Sequence, residues 1–354
     1  MSPMADSPRP PVVLAAPDAF KGTATAATVA AAVAAAADGA GWACDRCPLS
    51  DGGEGFAEVL AAAPPGSDAG AADGGDRGRW IETTVTGPLG QPVVARWFLR
   101  GTEAVIESAA ASGLPLAGGP AGNDPVAATT RGTGELIAAA VAAGARRVLM
   151  GVGGSATTDG GLGAVEAIDE AGGLDAVEVI VACDVETLFV DAAEIFGPQK
   201  GASPAQIVVL RRRLEELAGR YRARGTDVAG LAGSGAAGGL GGGLALLGAT
   251  LVPGFDVVAG AVGLKDRLSA ADLVVTGEGR LDASSWSGKV VGGVRGLARR
   301  AGIPVLVVAG TVGPGGTVRG LEVVDLSGRY GEKRSLADPA GCVADAVREA
   351  LNHL

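Results

Sequence analysis

Apolar and polar positions along the chain fall into short strand-like runs separated by helical segments, and their order differs between the two ends and the middle. Val12 to Ala16 is an apolar run closed by Pro17-Asp18, and Thr23 to Ala37 follows with high helix propensity and hydroxyl caps at Thr23 and Thr25. Cys44 to Leu49 reads as a second strand, and Phe56 to Ala63 as a helix after the loop Ser50-Asp51-Gly52-Gly53-Glu54-Gly55. The same pattern returns from Asp272, with strands at Leu273 to Thr276, Val305 to Ala309 and Leu321 to Asp325 and helices at Lys289 to Ala301 and Pro339 to Leu351. The middle opens differently. Trp80 to Thr86 and Val93 to Leu99 alternate around Gly87-Pro88-Leu89-Gly90 as an antiparallel hairpin. Strands at Ala104 to Glu107, Arg147 to Val152 and Val177 to Ala182 follow, with helices at Gly132 to Ala143 and Pro204 to Arg222. Pro64 to Arg79 has no periodicity and marks a domain boundary. The expected fold is α/β: a parallel-sheet domain made of residues 12–78 plus 265–354, with a second α/β domain of mixed sheet, 79–264, inserted into it. Three successive units are the alternative.

Composition narrows the chemistry. A length of 354 residues suits two domains, and 47% hydrophobic with 19% charged residues is the balance of a folded protein. The single His is His353, beside the C-terminus, which disfavours His-metal clusters, Ser-His-Asp triads and His bases. Chemistry then falls to carboxylates, Lys, hydroxyls, backbone amides and a bound metal ion. A net charge of −10 with only 3% aromatics lacks the basic stripe and stacking platforms of nucleic-acid binders. Of the four cysteines only Cys44 and Cys47 are closely spaced, without the second pair a zinc ribbon needs, so reduced structural thiols are expected. Met1 to Pro11 does not resemble a signal peptide, and the longest apolar run, Ala26 to Ala37, is too short to span a bilayer, so a cytoplasmic protein with no membrane partner is expected.

Several loops combine Gly with acids, hydroxyls or Lys. Asp18-Ala19-Phe20-Lys21-Gly22-Thr23 follows a strand and offers Lys21 and backbone amides to an anion. Ser50 to Gly55 carries Asp51 and Glu54, suited to magnesium or to a base. Gly151 to Gly161 (GVGGSATTDGG) contains a weak dinucleotide signature but reads more economically as a phosphate-cradling nest with Ser155 and Asp159 at hand. Gly235 to Gly243 is rich enough in Gly to be close packing or a flexible loop. Ser287-Gly288-Lys289-Val290 lacks the first Gly and the Ser/Thr of a P-loop, which leaves Glu278, Arg280, Asp282 and Lys289 grouped at a sheet mouth.

In this order the segments resemble the bacterial glycerate kinase family. The matching segments are DAFKGT (Asp18 to Thr23), SDGGEG (Ser50 to Gly55), VIESAAASGL (Val105 to Leu114), TTRGTGELI (Thr129 to Ile137), GVGGSATTDGG (Gly151 to Gly161), FGPQKGA (Phe196 to Ala202), GAAGGLGGG (Gly235 to Gly243), and TGEGRLD (Thr276 to Asp282) with SGK (Ser287 to Lys289). Ala167 to Glu170 and Glu186 to Asp191 depart from the family pattern. The resemblance implies a discontinuous flavodoxin-like domain carrying the inserted one, and ATP-dependent, magnesium-dependent phosphorylation of D-glycerate, favouring the 2-phosphoglycerate product, in the cleft between them. Small-molecule substrates and a monomer or homodimer are expected. On this reading Asp184, Lys200 and Asp159 are catalytic; Lys21, Arg280 and Ser155 bind the acid; Gly153, Gly154, Gly238, Gly239 and Lys289 bind nucleotide; and Asp51, Glu54 and Glu278 hold the metal. The rival readings are an NAD-dependent oxidoreductase built on the Gly151 loop and a non-catalytic sugar-acid binding protein.

Overall fold

The computed structural model describes residues 9–64 and 77–354. The start of the chain and most of the run expected as a linker lie outside the described residues. The strands are β1 (Val12–Ala15), β2 (Ala43–Arg46), β3 (Arg79–Thr86), β4 (Pro92–Arg100), β5 (Glu103–Glu107), β6 (Arg147–Gly151), β7 (Glu178–Ala182), β8 (Thr250–Val252), β9 (Leu273–Leu281), β10 (Val305–Val312) and β11 (Glu322–Asp325). The chain divides into two compact units, one made of both chain ends up to Ser50 and from Val262, the other Asp51–Ala261.

The first unit holds a five-stranded sheet in the order β11-β10-β9-β1-β2, parallel throughout. Counted along this unit's own strands the order is 2-1-3-4-5, the flavodoxin-like winding, whose switch point lies between the first and third strands. Alternation along each strand feeds both faces. Leu306 and Val308 face the cluster built on the helices Ala26–Gly39 and Pro339–Asn352, whereas Val307 and Ala309 face Val291 of the helix Val290–Ala301. Of the two expected caps, Thr25 accepts the amide of Thr28 at 3.1 Å, whereas the Thr23 hydroxyl donates to the Phe20 carbonyl at 2.8 Å; Asp338 accepts the Gly341 amide at 2.9 Å.

The second unit holds a six-stranded sheet in the order β3-β4-β5-β6-β7-β8, antiparallel from β3 to β5 and parallel from β5 to β8. Its core joins Trp97 of the hairpin to Leu136, Ile137, Met150 and Val181, with the Trp97 indole donating to Thr83 at 2.9 Å. A second cluster packs the helix Pro204–Ala223 through Leu210, Leu214 and Tyr221 around Phe189. That helix starts with a capping box of Ser203 and Gln206, with Pro204 in its first turn.

Three local features depart from the sequence expectations. Residues from Asp51 onward belong to the second unit, because Gly52 and Gly53 lie against Ala182 and Gly153 and the helix Phe56–Ala62 adjoins β5. The switch from one unit to the other therefore falls at Ser50, not at residue 78. The TGEGRLD segment is mostly strand, since β9 continues to Leu281. The Gly-rich stretch is the helix Ala236–Leu246, interrupted by left-handed residues at Ala237, Gly238 and Gly239. Among the described residues, no helix is long and apolar enough to cross a membrane.

Candidate active site

In the first unit the carboxyl ends of β1 and β9 open at the switch point, where ligands bind in sheets of this kind. Because β9 runs on as a strand, Glu278 and Arg280 point to one side, and Asp282 continues that row just beyond its end. They line a cavity of about 320 Å³ together with Lys21 and Thr23 from the loop after β1, Thr311 of β10 and Lys289. Lys289 immediately precedes the helix Val290–Ala301. The glycines let the backbones close up: a Cβ on Gly279 would stand 3.2 Å from the Lys21 amide, and one on Gly310 2.5 Å from the Gly279 carbonyl. Asp282 accepts from the hydroxyl and amide of Ser284 at 2.7 and 2.9 Å. Those bonds, with smaller contributions from Lys289 and Arg280, hold its carboxyl below the usual range. Lys21, Arg280, Lys289 and Glu278, expected to serve different ligands, thus share one cavity. Its mixture of cations, acids and hydroxyls is matched to an anion that also carries hydroxyl groups.

In the second unit the loop Asp51 to Gly55 lies across the carboxyl ends of β6, β7 and β8. Gly52 has φ +88°, and a Cβ there would meet the Ala182 carbonyl at 2.6 Å; one on Gly254 would meet the Asp51 carbonyl at 2.2 Å. The Gly153 amide donates to the Gly52 carbonyl at 3.3 Å. Gly154 is exposed with φ +70°. Gly53, Gly153 and Gly154 together offer backbone rather than side chains at this mouth. Asp184 follows β7, and its Oδ1 accepts the amides of Gly254 at 2.6 Å and Phe255 at 3.4 Å. Asp51 and Asp184 thus flank Gly254, with Glu54 exposed nearby in the loop.

Other expected site residues have interior roles. Asp159 is buried, and Oδ2 accepts the amide and hydroxyl of Thr130 at 2.8 Å each and the Gly163 amide at 3.3 Å, while Oδ1 accepts the Gly161 amide at 3.1 Å. With both oxygens engaged, it anchors the loop rather than acting as a base. Lys200 is 3% exposed and does not face solvent as a phosphate clamp would. Its Nζ donates to Ser155 Oγ at 2.9 Å and the Thr157 carbonyl at 2.6 Å, so the Ser155 hydroxyl is also engaged within the loop. Gly238 and Gly239 are buried against Thr157, Gly160 and Phe189, as close packing beneath the loop and not as a nucleotide cradle. Phe189, in one of the stretches departing from the family pattern, fills the space those glycines leave. Between β6 and the helix Leu162–Glu170 runs the whole interval Val152 to Gly161, unlike a dinucleotide fingerprint in which the loop passes directly into its helix.

Burial lowers the Lys200 ammonium to about 7, partly opposed by Asp159. The folded state therefore binds fewer protons than the unfolded one from about pH 7 upward, and this group's contribution to stability rises with pH in that window. Above about pH 9 the half-buried thiols of Cys44 and Cys183 and the buried thiol of Cys47, each raised to about 11 chiefly by desolvation, have the opposite effect. Denaturant titrations of the parent are expected to show unfolding free energy rising between pH 7 and 9, and Lys200→Met to flatten that rise. An unchanged slope would show that Lys200 titrates normally in the fold.

Sequence reasoning missed Glu107. It ends β5, and its Oε1 accepts the Ala57 amide at 2.9 Å. Burial pushes its carboxyl up to about 7, opposed by that bond and reinforced by Glu58 and Glu54. An acid closing an apolar strand was the available signal, the same one that singled out Asp184.

Among the described residues no three carboxylate, His or Cys side chains stand together as a metal-holding group, so Asp51, Glu54 and Glu278 are not assembled as a protein cage. Magnesium at phosphoryl-transfer sites needs only one or two carboxylates, with water and phosphate oxygens completing its shell. Asp51, with Glu54 exposed in the same loop, fits that lesser requirement.

Two α/β units thus present Gly-rich loops and acids at their strand ends, the layout of an α/β protein that binds anionic ligands. The glycerate kinase family model matches residues 13–176 and 169–325, and the chain belongs to that family. It is 41% identical over 301 residues to glycerate 2-kinase of Escherichia coli K12, covering 75% of each chain. It is 39% identical over 337 residues to glycerate kinase of Bacillus subtilis 168, covering 85% of each. A crystal structure from Salmonella typhimurium LT2, provisionally described as glycerate kinase 2, superposes with TM-score 0.77 at 34% identity over 98% of both chains.

Proposed function

We propose that the protein transfers the γ-phosphoryl group of ATP to the C2 hydroxyl of D-glycerate, giving 2-phosphoglycerate and ADP. The observation that carries this reading is the cavity at the β1/β9 switch point, whose Lys21, Arg280 and Lys289 suit a carboxylate while Glu278, Thr23 and Thr311 suit hydroxyl groups. The 2-position is favoured by identity to the E. coli protein named glycerate 2-kinase.

Transfer forms a bond from the substrate oxygen to the γ-phosphorus and breaks the bond from that phosphorus to the β,γ-bridging oxygen, with ADP as the leaving group. Asp184, held by the Gly254 and Phe255 amides, would orient the hydroxyl and take its proton. The backbone of Gly53, Gly153 and Gly154 would receive phosphate oxygens. Asp51, with Glu54, would hold magnesium, which would neutralise charge on the phosphates when bound. Four free cysteines and the use of ATP favour the cytoplasm as its location.

The test separates the ligands. Arg280→Met and Lys289→Met are expected to raise KM for D-glycerate about tenfold or more, with KM for ATP within about twofold. A Lys289 variant that shifts KM for ATP alone would return this residue to the nucleotide.

A further inference from the structure

The loop Asp51 to Gly55 owes its position to contacts along its length, and these differ in kind. Over β6, β7 and β8 it is laid down by glycine backbones: Gly52 on Ala182, Gly53 on Gly153, and the Asp51 carbonyl on Gly254. Within the loop, Asp51 Oδ1 accepts the Gly53 amide at 3.1 Å. At its exit it is tied to β5 by a side chain, since Glu107 Oε1 accepts the Ala57 amide at 2.9 Å. Van der Waals contact resists approach but not lift, so what opposes lift is directional: the bond from the Gly153 amide to the Gly52 carbonyl at 3.3 Å and the shorter, charge-assisted one from Ala57 to Glu107.

We propose that Glu107 is a positioning residue, tying the exit of the Asp51–Gly55 loop to the end of β5 so that Asp51 and the Gly53 and Gly153 backbones keep the spacing that receives the triphosphate. The proposal rests on the reading of that loop as the phosphate-facing one. Glu107 itself touches backbone, not substrate. Losing it frees the Ala57 amide just past the loop exit and leaves the Gly153–Gly52 bond alone to hold the loop down, which weakens nucleotide binding while leaving the acid cavity of the other unit as it was.

Two variants divide the outcomes. Glu107→Gln keeps an acceptor oxygen for Ala57, and Glu107→Ala keeps none. In steady-state kinetics Glu107→Ala is expected to raise KM for ATP about tenfold or more and to lower kcat, with KM for D-glycerate within about twofold, and Glu107→Gln to recover most of the loss. In the ligand-free protein, hydrogen exchange at residues 52–57 is expected to quicken about tenfold in Glu107→Ala and to stay near the parent rate in Glu107→Gln. Quickened exchange without a change in KM for ATP would mean that the tie is real but serves stability alone, which overturns the proposal. Unchanged exchange in Glu107→Ala would also overturn it, as would a Gln variant as impaired as the Ala variant. Should Glu107→Ala not fold, Glu107→Asp, whose shorter side chain withdraws the carboxylate from the Ala57 amide, takes its place and is expected to show the same rise in KM for ATP and the same quickened exchange. A parent protein that releases no ADP with any hydroxy acid would instead sink the functional reading, and the exchange measurement would still decide whether the tie holds the loop.

Discussion

Asp184→Asn is expected to lower kcat by about 10²-fold or more while KM for ATP changes little. The substitution is close to isosteric, and the amide oxygen can still accept from Gly254 and Phe255, the bonds that hold Asp184 Oδ1 at 2.6 and 3.4 Å. What disappears is the negative charge and the capacity to take a proton from the acceptor hydroxyl. The loss therefore belongs in the chemical step, not in binding. Initial rates with saturating D-glycerate and varied ATP give both constants, and a thermal scan shows whether the fold is intact. A variant with near-normal kcat would remove Asp184 from the mechanism and leave it as the cap of the helix Gly254–Ala261.

Gly238→Ala is expected to be the most damaging single methyl in the second unit. Gly238 has φ +69°, and a Cβ there would stand 2.0 Å from the Thr157 carbonyl and 2.7 Å from the Thr158 Cα. Left-handed backbone costs a non-glycine residue about 1–2 kcal/mol, and forcing an atom into a packed interior typically costs about 1–3 kcal/mol more. Both obstacles are backbone, so neither can swing aside as a side chain would. A loss of about 4 kcal/mol corresponds to a fall in Tm of roughly 10 °C for a domain of this size. Because Thr157 belongs to the loop that Lys200 and Asp159 pin, activity should fall along with stability. A Tm within about 2 °C of the parent would show that the Gly-rich helix has room to yield.

These two residues also show what was legible before the structure. Asp184 stood out because it closes an apolar strand, and β7 does end at Ala182 just before it. Helix starts with a Pro and a side-chain cap, at Ser203-Pro204 and Asp338-Pro339, were readable for the same local reason. Gly238 and Gly239 were not, because composition cannot separate glycines that admit a ligand from glycines that admit a neighbouring backbone. Only the positions of Thr157, Gly160 and Phe189 decide that. TGEGRLD looked like a loop because its glycines hid the alternation of Glu278 and Arg280 along β9. β8 was missed because a run of three residues carries almost no periodicity. The unit border at Ser50 leaves no mark in composition, since it falls inside a segment that reads as one motif. Lys200 and Asp159 were expected to be catalytic, and their partners, Ser155, Thr157 and Thr130, come from tertiary contacts that spacing along the chain does not reveal.

The central claim, phosphorylation of D-glycerate at C2 by ATP, is tested most directly by incubating the purified protein with D-glycerate, magnesium and ATP, following ADP release with a coupled assay and assigning the product by phosphorus NMR. The account predicts ADP release that depends on glycerate and a single new phosphomonoester resonance, that of 2-phosphoglycerate. A 3-phosphoglycerate resonance would contradict the assigned position, and absence of ADP release from folded protein with D-glycerate would contradict the activity itself.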